Sequence, residues 1–579
     1  MKRLILYTRP YITQWISAIA VLFIASLLQL SIPKFTQVAI DDYIRTGDLA
    51  GLTPIISLFF LVLTGLFVTQ YVQMYIMDWI GQKIMFDLRR AVFGHIQHLP
   101  LKFFNKNPVG KLMTRVTSDI ESLNELFTSG LVAIFGDVIT LVGIVIIMFL
   151  LNWKLALLTM FILPALFFVS IIFKIKVRNA FRLVRSRIAK INAYLQENIS
   201  GMVVSQLFNR EEKNFKKFDD LNHDHLSAFL KTIFYFAIFF PLTGFISAMT
   251  TAIIIWYGGV QIMTGALTFG GIVAFLQYVF MFYRPIRDLS EKYNILQSAM
   301  AASERVFHLL DEPVEEENEQ TTNVDPQHAR GKIEFKNVWF AYSDENWILK
   351  DINLKINPGE NVAIVGATGS GKTTLINLLG RFYNIQRGDI SLDGENIKNY
   401  SLHDLRSQMS IVLQDVFLFA GTIAENISLG NSKINDDQIR EAAANVNASD
   451  FINVLPQSFD TELNERGSTL SVGQRQLLAF ARALAHDPAI LILDEATSSI
   501  DTETEQLIQI ALNKLMTNRT SIIIAHRLST IKNVDKIIVL HHGEVREVGS
   551  HQELLKLEGL YYKLYQLQFA NQDKLENAA

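Results

Sequence analysis

Six long apolar runs fill the first half of the chain and restrict its fold more than any other feature. They are residues 12–33, 52–77, 131–151, 155–173, 232–256 and 267–283. As a helix, each can cross a hydrocarbon core roughly 30 Å thick. Five carry no charged residue, and the third carries Asp137. Buried helices of a soluble domain would not repeat that pattern run after run. Composition agrees: half of the 579 residues are hydrophobic and 19% are charged, against roughly 25% in soluble chains. The first run is too long for a signal core and lacks a small-residue cleavage site, so it is expected to be retained.

Lysine and arginine in the connections set the expected orientation. Residues 34–51 hold Lys34 and Arg45, the turn after the third run holds Lys154, and residues 257–266 hold none. Residues 78–130 carry Lys83, Arg89, Arg90, Lys102, Lys106, Lys111 and Arg115, and residues 174–231 open with Lys174, Lys176, Arg178 and Arg182. The two basic connections and both termini are therefore expected in the cytoplasm. Structureless loops of that length are uncommon, and amphipathic patterning over 188–199 argues for helix. About 25 helical residues reach roughly 40 Å at 1.5 Å each. The spanning helices are thus expected to continue past the membrane and turn at far tips, at 115–120 and 201–208. Pro108-Val109-Gly110 should break the first connection shortly before its tip.

Residues 311–330 are acidic, polar and proline-containing, as a linker is. From Lys332 onward, strand-like and helical patterns alternate, as in an α/β domain. The expected division is a six-helix membrane domain over 1–310, a linker over 311–330 and a nucleotide-binding domain over 331–579.

Gly366-Ala367-Thr368-Gly369-Ser370-Gly371-Lys372-Thr373-Thr374 fits the P-loop pattern G-x-x-x-x-G-K-[ST]. Its glycines let backbone N–H groups cradle phosphates, Lys372 adds a charge for the outer phosphates, and the Thr373 hydroxyl can complete a Mg²⁺ shell. The strand-like Asn361-Val362-Ala363-Ile364-Val365 precedes the loop and a helical run follows it, so a helix dipole favours the anion. Ile490-Leu491-Ile492-Leu493-Asp494-Glu495 is an apolar strand that ends in two acids. The expected division is Asp494 on Mg²⁺ and Glu495 polarising the attacking water, since phosphoryl transfer needs positioning and charge stabilisation. Ser521-Ile522-Ile523-Ile524-Ala525-His526 is a second buried strand, and Gln414 follows a third. By itself, a lone histidine there is more often structural than catalytic, and a lone glutamine is uninformative.

These residues resemble the ATP-binding cassette (ABC) family along essentially the whole chain. Leu470-Ser471-Val472-Gly473-Gln474 resembles the family signature LSGGQ, with Val472 at its third position. The resemblance assigns Ser471 and Gly473 to the γ-phosphate and Tyr342 to stacking on adenine. It assigns Gln414 to Mg²⁺ and the attacking water, and His526 to the γ-phosphate. Ser499-Ile500-Asp501 resembles the D-loop. Residues 461–467 resemble the X-loop of exporters, with Asn464 in place of a glycine. Six spans before one cassette resemble an exporter-type (type IV) half-transporter of a bacterial inner membrane. Each ATP would lie between the P-loop of one cassette and the signature of another, so a second chain is implied, identical or different. The two tips would act as coupling helices, the second reaching the partner's cassette.

The implied activity is Mg²⁺-dependent ATP hydrolysis driving export of hydrophobic or amphipathic compounds. The aromatics Phe234, Tyr235, Phe236, Phe239, Phe240, Phe245, Phe275, Tyr278, Phe280 and Phe282 could line a cavity for such cargo or serve packing and lipid contact. Asp137 could pair with a cationic drug, or lie wet below the membrane. A lipid flippase, an exporter-fold importer and a non-transporting ATPase share the motifs. A peptide-processing exporter is disfavoured, because no peptidase domain is expected before the spans and there is no cysteine nucleophile. The absence of cysteine also excludes disulfides and Cys-ligated zinc. The formal net charge of −3 gives no reason to expect nucleic acid as a partner.

Overall fold

The computed structural model describes residues 2–315, 330–343, 346–494, 502–524 and 528–568. The chain forms two compact units. The first comprises residues 1–97 and 108–312, and the second comprises residues 98–107 and 313–579.

The first unit is all helix. Its elements are α1 (Ile12–Val38), α2 (Leu49–Gln97), α4 (Val109–Leu151), α5 (Trp153–Ser200), α7 (Glu211–Met263) and α8 (Phe269–Leu310). The short α3 (Leu101–Lys106) follows α2, and α6 (Met202–Leu207) joins α5 to α7. Among the described residues, five helices are long and apolar enough to cross a membrane, and α8 opens with a shorter apolar stretch, Phe269–Tyr283. With 49 residues, α2 is roughly 70 Å long, so more than half of it extends past a hydrocarbon core. At most 28% of each spanning window is buried within the chain, so most of its apolar side chains point outward, as lipid contact requires. The inward side chains include Leu30, Ile144, Phe275 and Tyr278, and the Tyr278 hydroxyl donates to the Leu30 carbonyl at 2.7 Å. Asn152 separates α4 from α5 by accepting from the backbone N–H groups of Lys154 and Leu155. Asp41 caps α8 from across the chain, accepting from Gly270 N at 2.7 Å.

Three expectations change here. The first tip lies at α3 rather than at 115–120. Pro100 and Pro108 bracket α3, and the residue before a proline is disfavoured in helix. Residues 115–119 instead form a wide helical turn inside the rising α4. Arg305 of α8 grips Asp119 there through two bonds, of 2.9 and 2.5 Å, and Ile120 is fully buried. The second tip is α6, within the expected stretch. Asp137 is neither a free acid nor simply wet: Lys292 of α8 pairs with it. Phe275 and Tyr278 are core residues, and Phe239 stacks on Phe173 at 3.8 Å, so these three aromatics serve packing.

The second unit contains two main sheets. The first is antiparallel, in the order β2 (Leu349–Ile356), β1 (Ile333–Phe340), β4 (Arg387–Leu392), β5 (Glu395–Asn396). The other has six strands, in the order β12 (Glu544–Gly549), β11 (Lys536–His541), β3 (Asn361–Val365), β10 (Thr520–Ile524), β9 (Ile490–Asp494), β6 (Met409–Val412). Its β11, β3, β10, β9 and β6 run parallel. Both faces are covered, which accounts for near-continuous apolar strands such as Thr520–Ile524. A parallel sheet gathers the C-terminal ends of its strands on one edge, where ligands bind α/β folds. The loop after β3 and the acid ending β9 lie on that edge, with β10 between them.

Candidate nucleotide site

The loop after β3 is shaped by close approach. A side chain at Gly366 would strike the Leu540 carbonyl oxygen of β11. Gly371 has φ +105°, and a Cβ there would lie 2.6 Å from Leu349 Cδ2. Immediately after it, α9 (Lys372–Leu379) begins, so its free N–H groups face the loop. Lys372 is only 8% exposed and bends back, donating to the carbonyls of Gly366 at 2.7 Å and Ala367 at 3.2 Å. Burial pushes its pKa down, and the nearby Asp494 charge opposes that shift. Ala367, Thr368 and Gly369 are exposed, while Ser370 is buried and its Oγ has no partner among the described residues. An inward hydroxyl without an acceptor fits a loop built to meet an added anion.

Thr373 is exposed at the start of α9, and Thr374 is buried. The Tyr342 hydroxyl donates to Thr374 Oγ1 at 3.1 Å. Its ring is 41% exposed and is held edge-on by Phe340 and Tyr383, both with centroids 4.9 Å away. One side is thus fixed and another is open for stacking. Gln414 is exposed in the loop after β6. Asp494 ends β9, in register with Ile524.

The signature segment heads α10 (Val472–Ala485). Ser471 is its N-cap: Oγ accepts from Gln474 N at 3.2 Å, and Gln474 Oε1 accepts from Ser471 N at 2.9 Å. Gln474 therefore shapes the turn with its own amide. Gly473 is buried, and Val472 is half-exposed at the tip.

Residues 15–286 match the family described as ABC transporter transmembrane region, and residues 349–498 match the family described as ABC transporter. The ATP-dependent lipid A-core flippase of Syntrophus aciditrophicus is 39% identical over 99% of this chain and 95% of its own. A Bacillus subtilis protein named "Probable multidrug resistance ABC transporter ATP-binding/permease protein YheH" is 39% identical over 90% of this chain and 77% of its own. The solved structure of a bacterial Atm1-family ABC exporter with ATP bound superposes with a TM-score of 0.77 at 27% identity, covering 96% of this chain and 98% of that one.

The chain belongs to the ABC transporter family. It is a multi-pass membrane protein of exporter type, with an ATPase domain fused to its transmembrane region. The cassette binds ATP and couples its hydrolysis to transport. One transmembrane region and one cassette make an ABC half-transporter, which works as a dimer. Glu495, Asp501 and His526 lie outside the described residues.

Motif reading missed the supports of the ABC site. Tyr383 braces Tyr342. Arg482 is half-buried in α10 and donates to Phe417 O at 3.1 Å and Asn426 O at 2.8 Å, fixing the chain that follows Gln414. Arg475 holds Leu470 O at 2.8 Å. An arginine on the apolar face of a helix was the available signal for Arg482.

Proposed function

We propose that this chain exports hydrophobic or amphipathic compounds across a bacterial cytoplasmic membrane, with both termini and the cassette in the cytoplasm. The observation that carries the cargo class is the state of the aromatics. Phe234, Phe240, Phe245 and Phe280 stay at least half exposed on α7 and α8, apolar surface available to a greasy cargo or to lipid. Lys292 neutralises Asp137, so this acid supplies no free charge to select cations.

In the proposed site the 366–374 loop and Lys372 hold the outer phosphates, and Tyr342 stacks on adenine. Ser471, Val472 and Gly473 of a second chain close on the γ-phosphate, with Gln474 setting the turn and Asp501 lining the seam between the cassettes. Glu495 takes a proton from the attacking water, and His526 holds the γ-phosphate. The oxygen donors of Thr373, Gln414 and Asp494 fit Mg²⁺, a hard ion that takes one or two carboxylates beside phosphate. The exposed Thr373 hydroxyl at the loop supports that fit. When bound, Mg²⁺ neutralises charge on the β- and γ-oxygens. ATP favours the closed cassette pair and hydrolysis releases it; the direction of transport follows from that difference in affinity. The partner chain is a second copy or a related half-transporter, both compatible with its intact motifs.

A second reading, lipid flipping, is favoured by the similarity to the lipid A-core flippase. Proteoliposomes with the purified chain separate the two readings. ATP-dependent movement of a lipophilic dye such as ethidium supports drug export. Flipping of a fluorescent phospholipid without dye movement overturns it in favour of the second.

A further inference from the structure

Tyr342 lies just past the end of β1, beyond the ladder that joins β1 to β4. The last residue pair of that ladder is Trp339 with Arg387. One side chain carries the pairing further. Gln386 N donates to Trp339 O at 3.3 Å, and its side-chain amide takes Ala341 at two points. Oε1 accepts from Ala341 N at 3.1 Å, and Nε2 donates to Ala341 O at 2.7 Å. A primary amide presents a donor and an acceptor side by side. It can therefore stand in for a strand residue, which exchanges both bonds with the residue opposite. The neighbouring Arg387 anchors this segment: its guanidinium lies 5.3 Å from the centroid of the Trp347 ring and 6.0 Å from that of Trp339. The two indoles meet edge-on at 5.5 Å. Gly388 has φ +85°, and a Cβ there would strike the backbone of Lys336 and Asn337, so β4 approaches β1 closely at this point.

We infer that Gln386 is a positioning residue for the nucleobase: by gripping both polar groups of the Ala341 backbone, it fixes the direction in which the next residue, Tyr342, presents its ring. This assignment rests on Tyr342 stacking on adenine and adds a residue that acts through it. The Tyr342 hydroxyl is tied to Thr374, and its ring is flanked by Phe340 and Tyr383, so the side chain is held at its tip and its edges. A rotation of the main chain at Ala341 would still turn the ring face away. Two bonds to one residue oppose that rotation where a single bond would act as a pivot. The ring face is then set before the base arrives, and binding costs less ordering. Gln386 is exposed, so replacing it opens no cavity in the core.

Calorimetric titration of the purified full chain tests this with two probes: AMP-PNP, which carries adenine, and inorganic tripolyphosphate, which carries no base. Gln386→Met keeps the length of the side chain and removes the amide. Gln386→Glu keeps an acceptor for Ala341 N and loses the donor to Ala341 O. Each should weaken AMP-PNP binding about three- to tenfold, the effect of losing one net hydrogen bond. Tripolyphosphate affinity should stay within about twofold of the parent. Tyr342→Ala should weaken AMP-PNP about tenfold. Gln386→Met added to it should cost less than about twofold more, because a grip that acts through the ring has nothing left to aim. Unchanged AMP-PNP binding in both Gln386 variants overturns the proposal. Equal losses for the two probes overturn it too, since the amide would then support the cassette as a whole, and so does full additivity with Tyr342→Ala. A parent that fails to bind AMP-PNP overturns the nucleotide-site reading, and a Tyr342→Ala chain that binds it like the parent overturns the stacking reading; the assignment of Gln386 falls with either.

Discussion

Lys372 lies in a buried setting, pinned between two loop carbonyls and within the field of Asp494. Replacing it by methionine keeps the length and removes the charge. ATPase activity of Lys372→Met is expected to fall about 10²-fold or more, as for loss of a group aimed at developing phosphate charge; a phosphate-release assay checks this. His486 offers a different residue-scale test. Burial lowers its pKa below the usual 6.5, and the neighbouring Arg482 adds to that, while a backbone bond to Ser428 opposes it. Its buried Nε2 has no partner among the described residues. As pH falls through 6.5, the unfolded chain takes up the proton first, so the cost to stability from this group grows from there down to its folded pKa, persists below it and vanishes above 6.5. The drop in Tm between pH 7.5 and 5.5 should shrink by about 2 °C or more in His486→Asn, measured by thermal unfolding at the two pH values. The P-loop was legible because its spacing is local and each position has a separate physical task. Tyr383 was not, because its role comes from a ring-to-ring contact with Tyr342, a residue distant in sequence, which no local pattern encodes.

At the scale of elements, α6 presents apolar side chains that none of the described residues covers: Val203 is 69% exposed and Leu207 73%. Asp at both positions removes no core contact, so the Tm of the purified chain should move by less than about 1 °C. If α6 docks on a partner's cassette, the same variant should lose the response of ATPase activity to transported cargo, read in proteoliposomes. Unchanged stimulation would exclude that docking. The two tips also show what patterning can and cannot reveal. A helix reversal needs a backbone stop, and Gly201 supplied one where it was expected. In the first connection the stops were Pro100 and Pro108, while the polar stretch at 115–119 only looked like a tip. Its polarity is spent on the ion pair between Asp119 and Arg305, a partner supplied by a helix far away in sequence.

For the whole molecule, the proposed half-site makes a prediction that one chain cannot meet alone. Lys372→Met damages the loop and Ser471→Ala the signature, and each alone should be nearly inactive. Co-expressed in equal amounts, half of the random dimers would carry one intact composite site, so about a quarter of the parent ATPase activity should return. An ATPase assay on the mixture that shows no recovery would exclude a site shared between identical chains. Purification of the chain by itself adds a second check: a stable dimer silenced by Glu495→Gln supports self-pairing, whereas a monomer points to a different partner. The six runs and the single cassette made this architecture readable, because lipid and phosphate each impose constraints that few sequences meet by accident.

Residues 98–107 give the architecture a practical consequence. They belong to the cassette unit although more than two hundred residues separate them from it along the chain. A cassette cut free at the linker would therefore be short of one of its own pieces. Chimaeras that exchange cassettes between relatives should work better when the donor also supplies the stretch around Phe103 and Asn105, because the natural seam of this protein is discontinuous in its gene.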